Sequence, residues 1–359
     1  MQDLELASEE TRLESIPHVR LRAVLSPEYR HYRMVIRGYG REDPRWLRER
    51  KLILTCGDSM GFPYVRWWQE GEGEVWTLEA GGQMMLRTFI ERAAVRRRAE
   101  GAGWPVVAPL VVAVLFRGLA EALGRLHGAG LCYRALTDET VWVERSGLRL
   151  LTTACVGPVE GPGEAGEESV TVLYRLETTA PMGPTTAPER REGWVLPAGD
   201  IYGLGALMWQ AVTGRPWSGR WGEMSAGSWE SLPGGRGLRE VLGSCLAGAP
   251  EGRPSAGVLA ERLFQIEYAE AGRASRTDVD LVVGLLLEGA PAPGAWGARQ
   301  QQAWRRLYGM GERSRATVEF GGSRGEKAWE MRKESASPPI RGWWRRLAAA
   351  WRVLWTGRL

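Results

Sequence analysis

Cysteine and histidine are two residue types of this sequence that could ligate a transition metal or supply a nucleophile. The 359-residue chain holds four cysteines and three histidines, namely Cys56, Cys132, Cys155, Cys245, His18, His31 and His127. The cysteines are far apart and form no Cys-x-x-Cys pair, and no two histidines stand at a metal-ligand spacing. The sequence therefore predicts neither a metal site nor a disulfide framework, and a reducing compartment is expected.

A second group of chemically informative residues lies in the segment from Leu126 to Leu151, which reads LHGAGLCYRALTDETVWVERSGLRLL. This segment resembles the catalytic loop of the protein kinase family, which a short hairpin connects to an Asp-Phe-Gly motif. Further matches follow in the family's order. Ala187-Pro188-Glu189 resembles the Ala-Pro-Glu motif, residues 198–217 resemble the long central helix, and Arg253 stands where the family has the arginine partner of that glutamate.

The resemblance implies an α+β, two-lobed fold with a reduced β-rich N-lobe and a helical C-lobe. It implies three structural residues within the helical lobe. Glu189 and Arg253 are expected to form a bidentate, partly buried ion pair. Asp200, at the position of the family's buried aspartate, is expected to accept backbone N–H bonds from the catalytic loop and hold its shape.

The catalytic positions of the family are occupied by residues that cannot carry out its chemistry. Phosphoryl transfer requires an aspartate that accepts the hydroxyl proton, and an asparagine and an aspartate that hold Mg²⁺. Here the His-Arg-Asp equivalent is Tyr133-Arg134-Ala135, so the base is a methyl group. The lysine, asparagine and second aspartate are replaced by Thr137, Thr140 and Thr152.

The nucleotide-binding positions are also altered. Only Gly38 and Gly40 precede residue 57, so the sequence lacks the Gly-x-Gly-x-x-Gly loop that covers phosphates. Arg37 occupies the position of the phosphate-binding lysine. Its planar guanidinium group keeps the positive charge but is larger than an ammonium group and is not equivalent to it. Glu49, in the helix that follows, is the candidate partner of Arg37.

The substitutions together predict a pseudokinase, a degenerate serine/threonine kinase-like domain that serves signalling as a regulatory binding or scaffolding module. The alternative is a divergent active serine/threonine protein kinase in which Asp138 or Glu139 replaces the missing base. ATP and Mg²⁺ are expected as cofactors only under that alternative, and otherwise no cofactor is expected. A protein partner is expected in either case.

Residues 156–186 form a long stretch without hydrophobic periodicity, rich in glutamate and threonine. It is interpreted either as a disordered acidic loop or as a phosphoacceptor segment. In the second interpretation its phosphate would pair with Arg134, which survives from the family's Arg-Asp dipeptide.

The elements that must position these residues follow from hydrophobic patterns. Strands are predicted at residues 19–25, 32–36, 64–69 and 74–79, and a helix is predicted to start at Asp43-Pro44. Further helices are predicted at residues 83–98, 108–127, 200–213, 237–247 and 255–268, with a hairpin at 141–151. Strands therefore dominate the first part of the domain and helices the second.

The C-terminal segment is basic and rich in tryptophan. Residues 291–359 contain 14 lysines and arginines against 5 acidic residues. On a helix, one apolar arc would hold Trp343, Trp344, Leu347, Trp351, Leu354 and Trp355, with arginines opposite. Such a helix fits an anionic membrane surface, a groove on a partner protein, or docking onto its own domain. Nucleic acid is disfavoured, because no reading motif accompanies these arginines.

Four regions are predicted from this reading. Residues 1–16 are expected to be a flexible N-terminus, 17–271 the kinase-like domain, 272–338 a flexible basic linker and 339–359 the amphipathic helix. The acidic start of the chain has no apolar run of a secretory signal. No 18-residue apolar run is found either, so the protein is expected to be cytoplasmic, with peripheral attachment to a membrane as the other option.

Overall fold

A computed structural model shows how these predicted elements are arranged. It describes residues 6–13, 16–26, 32–56, 61–80, 83–99, 105–153, 155–159, 183–221, 229–289 and 296–309. The first part of this chain is rich in strands and the second part is helical, which confirms the predicted mixed architecture.

The first part is a five-stranded antiparallel sheet in the order β1-β2-β3-β5-β4. Its strands are β1 (Leu6–Leu13), β2 (Ile16–Val24), β3 (Tyr32–Arg37), β4 (Tyr64–Glu70) and β5 (Val75–Ala80). Helix α1 (Pro44–Cys56) connects β3 to β4 and begins at the predicted proline. Trp46 and Ile53 of α1 are buried, whereas Leu47 and Leu54 face outward. The helix therefore packs through one face only.

Strand β1 corrects the prediction that residues 1–16 are flexible. Leu6–Leu13 pairs antiparallel with β2 despite its polar composition. The reason is electrostatic, since Glu10 forms ion pairs with two arginines of β2, at 3.1 Å to Arg20 and 2.6 Å to Arg22. Cross-strand pairs of opposite charge stabilise an edge strand that buries little apolar surface.

The second part is built around two buried helices. Its elements are β6 (Met84–Met85), α2 (Leu86–Ala99), α3 (Pro109–Gly128), β7 (Leu131–Cys132), β8 (Val141–Glu144), β9 (Gly147–Leu150), β10 (Gly157–Pro158), a 3-10 helix (Pro188–Glu192), α4 (Pro197–Thr213), α5 (Gly235–Cys245), a short 3-10 helix (Pro250–Gly252) and α6 (Ala256–Ala269). Helix α4 is apolar around most of its circumference, as expected of a helix enclosed by others. A Cβ on Gly205 would lie 2.7 Å from Cys245, so glycine permits the close approach of α4 and α5.

Two further helices correct the prediction of a flexible linker over residues 272–338 for the part of that range that the structure describes. They are α7 (Arg276–Glu288) and α8 (Ala298–Tyr308). Helix α7 starts with a capping box formed by Ser275 and Asp278. The prediction gave weight to the basic residues and overlooked apolar side chains such as Val282 and Leu307, both of which are fully buried.

Side-chain contacts attach both helices to the rest of the helical part. Arg92 of α2 donates to the carbonyl oxygen of Leu287 at 2.9 Å, and Tyr308 donates its hydroxyl to the carbonyl oxygen of Val106 at 3.0 Å. Trp304 and Tyr308 stack with ring centroids 4.3 Å apart. The folded region therefore extends well beyond the predicted boundary at residue 271.

Candidate functional site

The centre of the candidate site is Arg37, the last residue of β3. Its Nε donates to Oε2 of Glu49 on α1 at 2.8 Å. Its Nη1 donates to Oγ1 of Thr77 at 2.6 Å, and its Nη2 donates to Oε1 of Glu79 at 2.7 Å, both on β5. Nη2 also lies 3.1 Å from Oγ1 of Thr152, which follows β9. Arg37 therefore joins the sheet, α1 and the segment after β9.

The carboxylate of Glu49 is held on both of its oxygens. Oε2 accepts from Arg37 and, at 3.2 Å, from the hydroxyl of Thr153. Oε1 accepts a short hydrogen bond from the hydroxyl of Tyr39. The ring of Trp46 lies 5.6 Å from the guanidinium carbon of Arg37 and closes the cluster on one side. The residues that surround Arg37 thus position Glu49 as well. We call the set Arg37, Glu49, Thr77, Glu79, Thr152 and Thr153 the arginine cluster.

The arginine cluster brings one cation between two buried carboxyl groups. Arg37 is completely buried, and Glu49 and Glu79 are only 2% and 1% exposed. Burial alone would lower the pKa of Arg37, but the carboxylates of Glu49 and Glu79 raise it above its usual value. Burial raises the pKa of Glu79 despite the opposing effect of Arg37. Oε2 of Glu79 has no hydrogen-bond partner among the described residues, and burial disfavours the charged form of this carboxyl.

A substitution of Glu79 should reveal its raised pKa as a pH dependence of stability. Because the folded-state pKa is raised, the neutral carboxyl stabilises the fold fully below the unfolded-state pKa of about 4.3. That contribution is lost as the pH rises through the raised folded-state pKa. Glu79→Gln keeps a neutral hydrogen-bonding group at every pH. As the pH rises through this window, the free energy of unfolding of the unchanged protein should therefore fall relative to that of the variant. Urea unfolding at a series of pH values measures the difference.

The exposed Glu91 on α2 provides the matched control, since Glu91→Gln should alter stability equally little at every pH. A Glu79→Gln effect that does not change with pH would show that Glu79 is not protonated in the fold.

The loop between β7 and β8 holds the positions that resemble a catalytic loop. The carboxylate of Asp200, on α4, accepts from the backbone N–H of Tyr133 at 2.7 Å and of Arg134 at 2.9 Å. Nε2 of His127 lies 3.0 Å from the same carboxylate. Asp200 therefore holds the backbone of this loop through contacts that require no substrate.

Thr140 takes part in the same loop through its hydroxyl group. Its Oγ1 donates to the carbonyl oxygen of Ala135 at 2.8 Å and accepts from the backbone N–H of Thr137 at 2.9 Å. Thr140 is completely buried. Its hydroxyl therefore serves the conformation of the loop, whereas Ala135 supplies only a methyl group.

Asp138 and Glu139 are tied to an arginine of the preceding helix. Arg87, in α2, reaches Oδ1 of Asp138 at 3.1 Å and Oε1 of Glu139 at 2.7 Å. Gln210 of α4 donates to Oδ2 of Asp138 at 2.8 Å. The two carboxylates are only 8% and 9% exposed. They act here as structural anchors between α2, α4 and the loop.

Arg134 adopts an uncommon left-handed backbone conformation, with φ at 71°. Its Nη2 donates to the carbonyl oxygen of Pro158 in β10. A Cβ on Gly157 would lie 2.4 Å from the guanidinium carbon of Arg134, so glycine leaves room for this side chain. Most of the 156–186 stretch predicted to receive phosphate lies outside the described residues, and its phosphorylation stays a prediction.

Glu189 and Arg253 meet in the helical part as a bidentate pair. Nη1 of Arg253 lies 2.6 Å from Oε1 of Glu189, and Nη2 lies 2.8 Å from Oε2. Arg253 also donates to the carbonyl oxygens of Ala247 and Ala198, both at 2.9 Å. The pair therefore ties the 3-10 helix before α4 to the segment before α6.

Sequence reasoning overlooked several members of this site. The sequence predicts Thr77 and Glu79 only as part of a strand. Residues two apart in a strand point to the same face, so these two side chains can contact the same group. A glutamate beside apolar residues of a central strand was the available signal. Thr153, Arg87 and Gln210 carried no comparable signal, because their roles depend on contacts between distant segments.

The residues predicted to bind a membrane or partner, Trp343, Trp344, Leu347, Trp351, Leu354 and Trp355, lie outside the described residues. None of the helices in the described part of the chain is long and apolar enough to cross a bilayer. Within the same part, no group of three or more His, Cys, Asp or Glu side chains is placed to hold a metal ion.

Two curated proteins of Streptomyces coelicolor are similar to part of this chain. The serine/threonine-protein kinase AfsK is 29% identical over 184 residues, which cover 48% of this chain and 22% of AfsK. The serine/threonine-protein kinase PkaA is 29% identical over 199 residues, which cover 52% of this chain and 35% of PkaA. No family model matches the chain. The chain thus spans about a third or less of these relatives, and the partial similarity supports a protein-kinase-like domain.

Proposed function

We propose that this chain contains a kinase-like domain that transfers no phosphate and acts as a regulatory module by binding a protein partner. The observation that carries the proposal is the arginine cluster. Arg37 stands at the position of the phosphate-binding lysine in the resemblance, and each of its three guanidinium nitrogens is hydrogen-bonded to a side chain of the protein itself. A nucleotide phosphate would have to displace Glu49, Thr77 or Glu79 to reach it.

The groups expected to hold Mg²⁺ give further support. Thr140 and Thr152 occupy the two metal-binding positions and are both completely buried. Mg²⁺ prefers carboxylate oxygens and phosphate oxygens to neutral hydroxyl groups. The hydroxyl of Thr140 is already directed to the carbonyl oxygen of Ala135. Neither position supplies the negative charge that would offset the dehydration of the ion.

The alternative is a divergent active kinase in which a neighbouring carboxylate acts as the base. Asp138 and Glu139 are the candidates, and Arg87 forms ion pairs with both. Gln210 also donates to Asp138 at 2.8 Å, so oxygens of both carboxylates are occupied by side chains of the protein itself, whereas a general base must reach the proton that it abstracts. The contacts of these two residues therefore favour the non-catalytic role.

A phosphotransfer assay tests the proposal directly. The purified protein, incubated with radiolabelled ATP and either Mg²⁺ or Mn²⁺, should incorporate no label into itself or into generic protein substrates. ATP with Mg²⁺ should also leave its melting temperature unchanged, because the arginine cluster is already satisfied without nucleotide. An active serine/threonine kinase serves as the positive control. Incorporation above a heat-inactivated sample, lost in Asp138→Asn, would establish the active alternative.

Recruitment of the module is assigned to residues 339–359. Five arginines, Arg341, Arg345, Arg346, Arg352 and Arg358, accompany the tryptophan-rich arc in this segment. Each arginine near an anionic bilayer contributes on the order of 1 kcal/mol, and buried apolar surface contributes roughly 25 cal/mol per Å². We propose that this segment brings the protein to an anionic membrane surface.

The intact protein should therefore sediment with vesicles rich in phosphatidylserine, and a chain ending at Pro339 should not. Added salt should weaken sedimentation without abolishing it, since only the electrostatic contribution is screened. Trp343→Ser with Trp351→Ser should remove the apolar contribution. If the intact protein stays in the supernatant at low salt, the membrane assignment is wrong.

A further inference from the structure

A wide groove runs along the helical part, away from the arginine cluster. It lies between α3 and α6, is closed at one end by the start of α4, and has a volume of about 1250 Å³. A Cβ at position 124 would be in ordinary van der Waals contact with that of Ala256, at 3.7 Å, so the two helices lie close together here. Sites for small ligands usually measure about 300–1,000 Å³ and enclose most of the ligand. This groove is larger and open along one side, which suits a polypeptide segment.

We propose that the groove binds a segment of a partner protein that carries apolar side chains flanked by lysine or arginine. The inference deepens the binding role proposed above and rests on it for the presence of a partner. Peptide binding and phosphotransfer are measured separately, so failure of one leaves the other standing.

The apolar lining of the groove ends in an exposed aromatic side chain. Ile201 and Ala260 contribute buried surface at its base, whereas Phe264 is 42% exposed at its edge. Tyr268, one turn further along α6, is 72% exposed, and its ring centroid lies 6.3 Å from that of Phe264. Exposed aromatic side chains in a row on one helix face are typical of a surface that receives another chain.

The arginines that line the groove already have partners. Arg117 forms an ion pair with Glu267 at 2.6 Å, and Arg253 is bound by Glu189. The guanidinium carbon of Arg125 lies 5.6 Å from the ring centroid of Phe62. The charges of Arg117 and Arg253 are therefore compensated within the protein, whereas the exposed Arg125 keeps its positive charge beside a neutral ring.

The carboxylates that line the groove differ in this respect. Glu251 and Glu261 are exposed, and neither forms an ion pair within the described residues. Glu121 is 40% exposed and shares Arg117 at the longer distance of 3.7 Å. Even with the charge of Arg125 included, the exposed lining carries more negative than positive charge, so complementary segments carry lysine or arginine.

Selection from a random 12-residue peptide library displayed on phage tests the inference on the full chain. Selected peptides should combine apolar residues with lysine or arginine, and the binding of a fluorescent copy is then measured by anisotropy. Glu251→Arg with Glu261→Arg should weaken binding by about tenfold, through loss of complementarity and added repulsion. Phe264→Ser should also weaken binding, by about fivefold, because it removes an apolar anchor.

Glu240→Arg on α5 and Val258→Ser on α6 are matched controls, because both residues are exposed and neither lines the groove. These two variants should bind as the unchanged protein does. Circular dichroism checks that every variant is folded. The inference is overturned if the library yields no binder, if the selected peptides lack basic residues, or if they bind the Glu251→Arg, Glu261→Arg protein undiminished.

Discussion

Arg37→Met should lower the free energy of unfolding by about 3–5 kcal/mol, because it leaves buried carboxyl groups without their cation. Methionine fills much of the space of the arginine stem but cannot donate to Glu49, Thr77 or Glu79. Glu79 keeps only the hydroxyl of Thr77 as a donor, and Glu49 keeps only the hydroxyls of Tyr39 and Thr153. Urea unfolding followed by tryptophan fluorescence measures the loss.

Arg41→Met provides the matched control for Arg37, because the side chain of Arg41 is 55% exposed. Its expected effect is within about 0.5 kcal/mol. The double variant Arg37→Met, Glu49→Gln should lose less free energy of unfolding than the sum of the two single variants. Each single change leaves a buried charge unpaired, and the second change removes that charge. A loss below about 1 kcal/mol for Arg37→Met would show that the arginine cluster does not stabilise the fold.

Removing either partner of the Glu189–Arg253 ion pair should also lower the free energy of unfolding. Glu189→Ala or Arg253→Ala should each destabilise the protein by about 3–5 kcal/mol, because each strands a buried partner. The guanidinium of Arg253 also holds the carbonyl oxygens of Ala198 and Ala247, so its loss should be the greater of the two. The double variant should cost less than the sum.

Glu192→Ala is the control for Glu189→Ala, since it removes an exposed carboxylate from the same 3-10 helix. Its effect should be within about 0.5 kcal/mol. Strictly additive effects of Glu189→Ala and Arg253→Ala would mean that the two side chains do not meet in solution.

The main elements could be predicted from the sequence, because their apolar residues follow the periods of helix and strand. Helix α3 was predicted at residues 108–127 and spans Pro109–Gly128. Helix α6 was predicted at 255–268 and spans Ala256–Ala269. Local signals such as the proline at position 44 also placed the start of α1 correctly.

Elements stabilised by contacts with distant segments were missed. Strand β1 is polar, and its pairing depends on the ion pairs of Glu10 with β2. Helices α7 and α8 pack onto α2 and α3, and although the capping box and apolar residues of α7 indicate a helix, residues 272–308 alone do not identify the surface that it packs against. These elements fold because of tertiary contacts, since the free energy that stabilises them comes from burial against residues far away in the sequence.

The sequence by itself determined which chemical groups stand at the kinase-like positions. Ala135, Thr140 and Thr152 bring no carboxylate there, whatever the fold does with them. It also identified Arg37 and Glu49 as candidates for one pair, and Glu189 and Arg253 for another.

Only the tertiary structure decided how these groups are used. It placed Glu79 beside Arg37, so that the buried guanidinium group of Arg37 contacts two carboxyl groups, those of Glu49 and Glu79. It also directed Asp138 and Glu139 to Arg87. The physical reason is that hydrogen bonds and burial depend on distances between residues far apart in the chain, which identity and spacing alone do not contain.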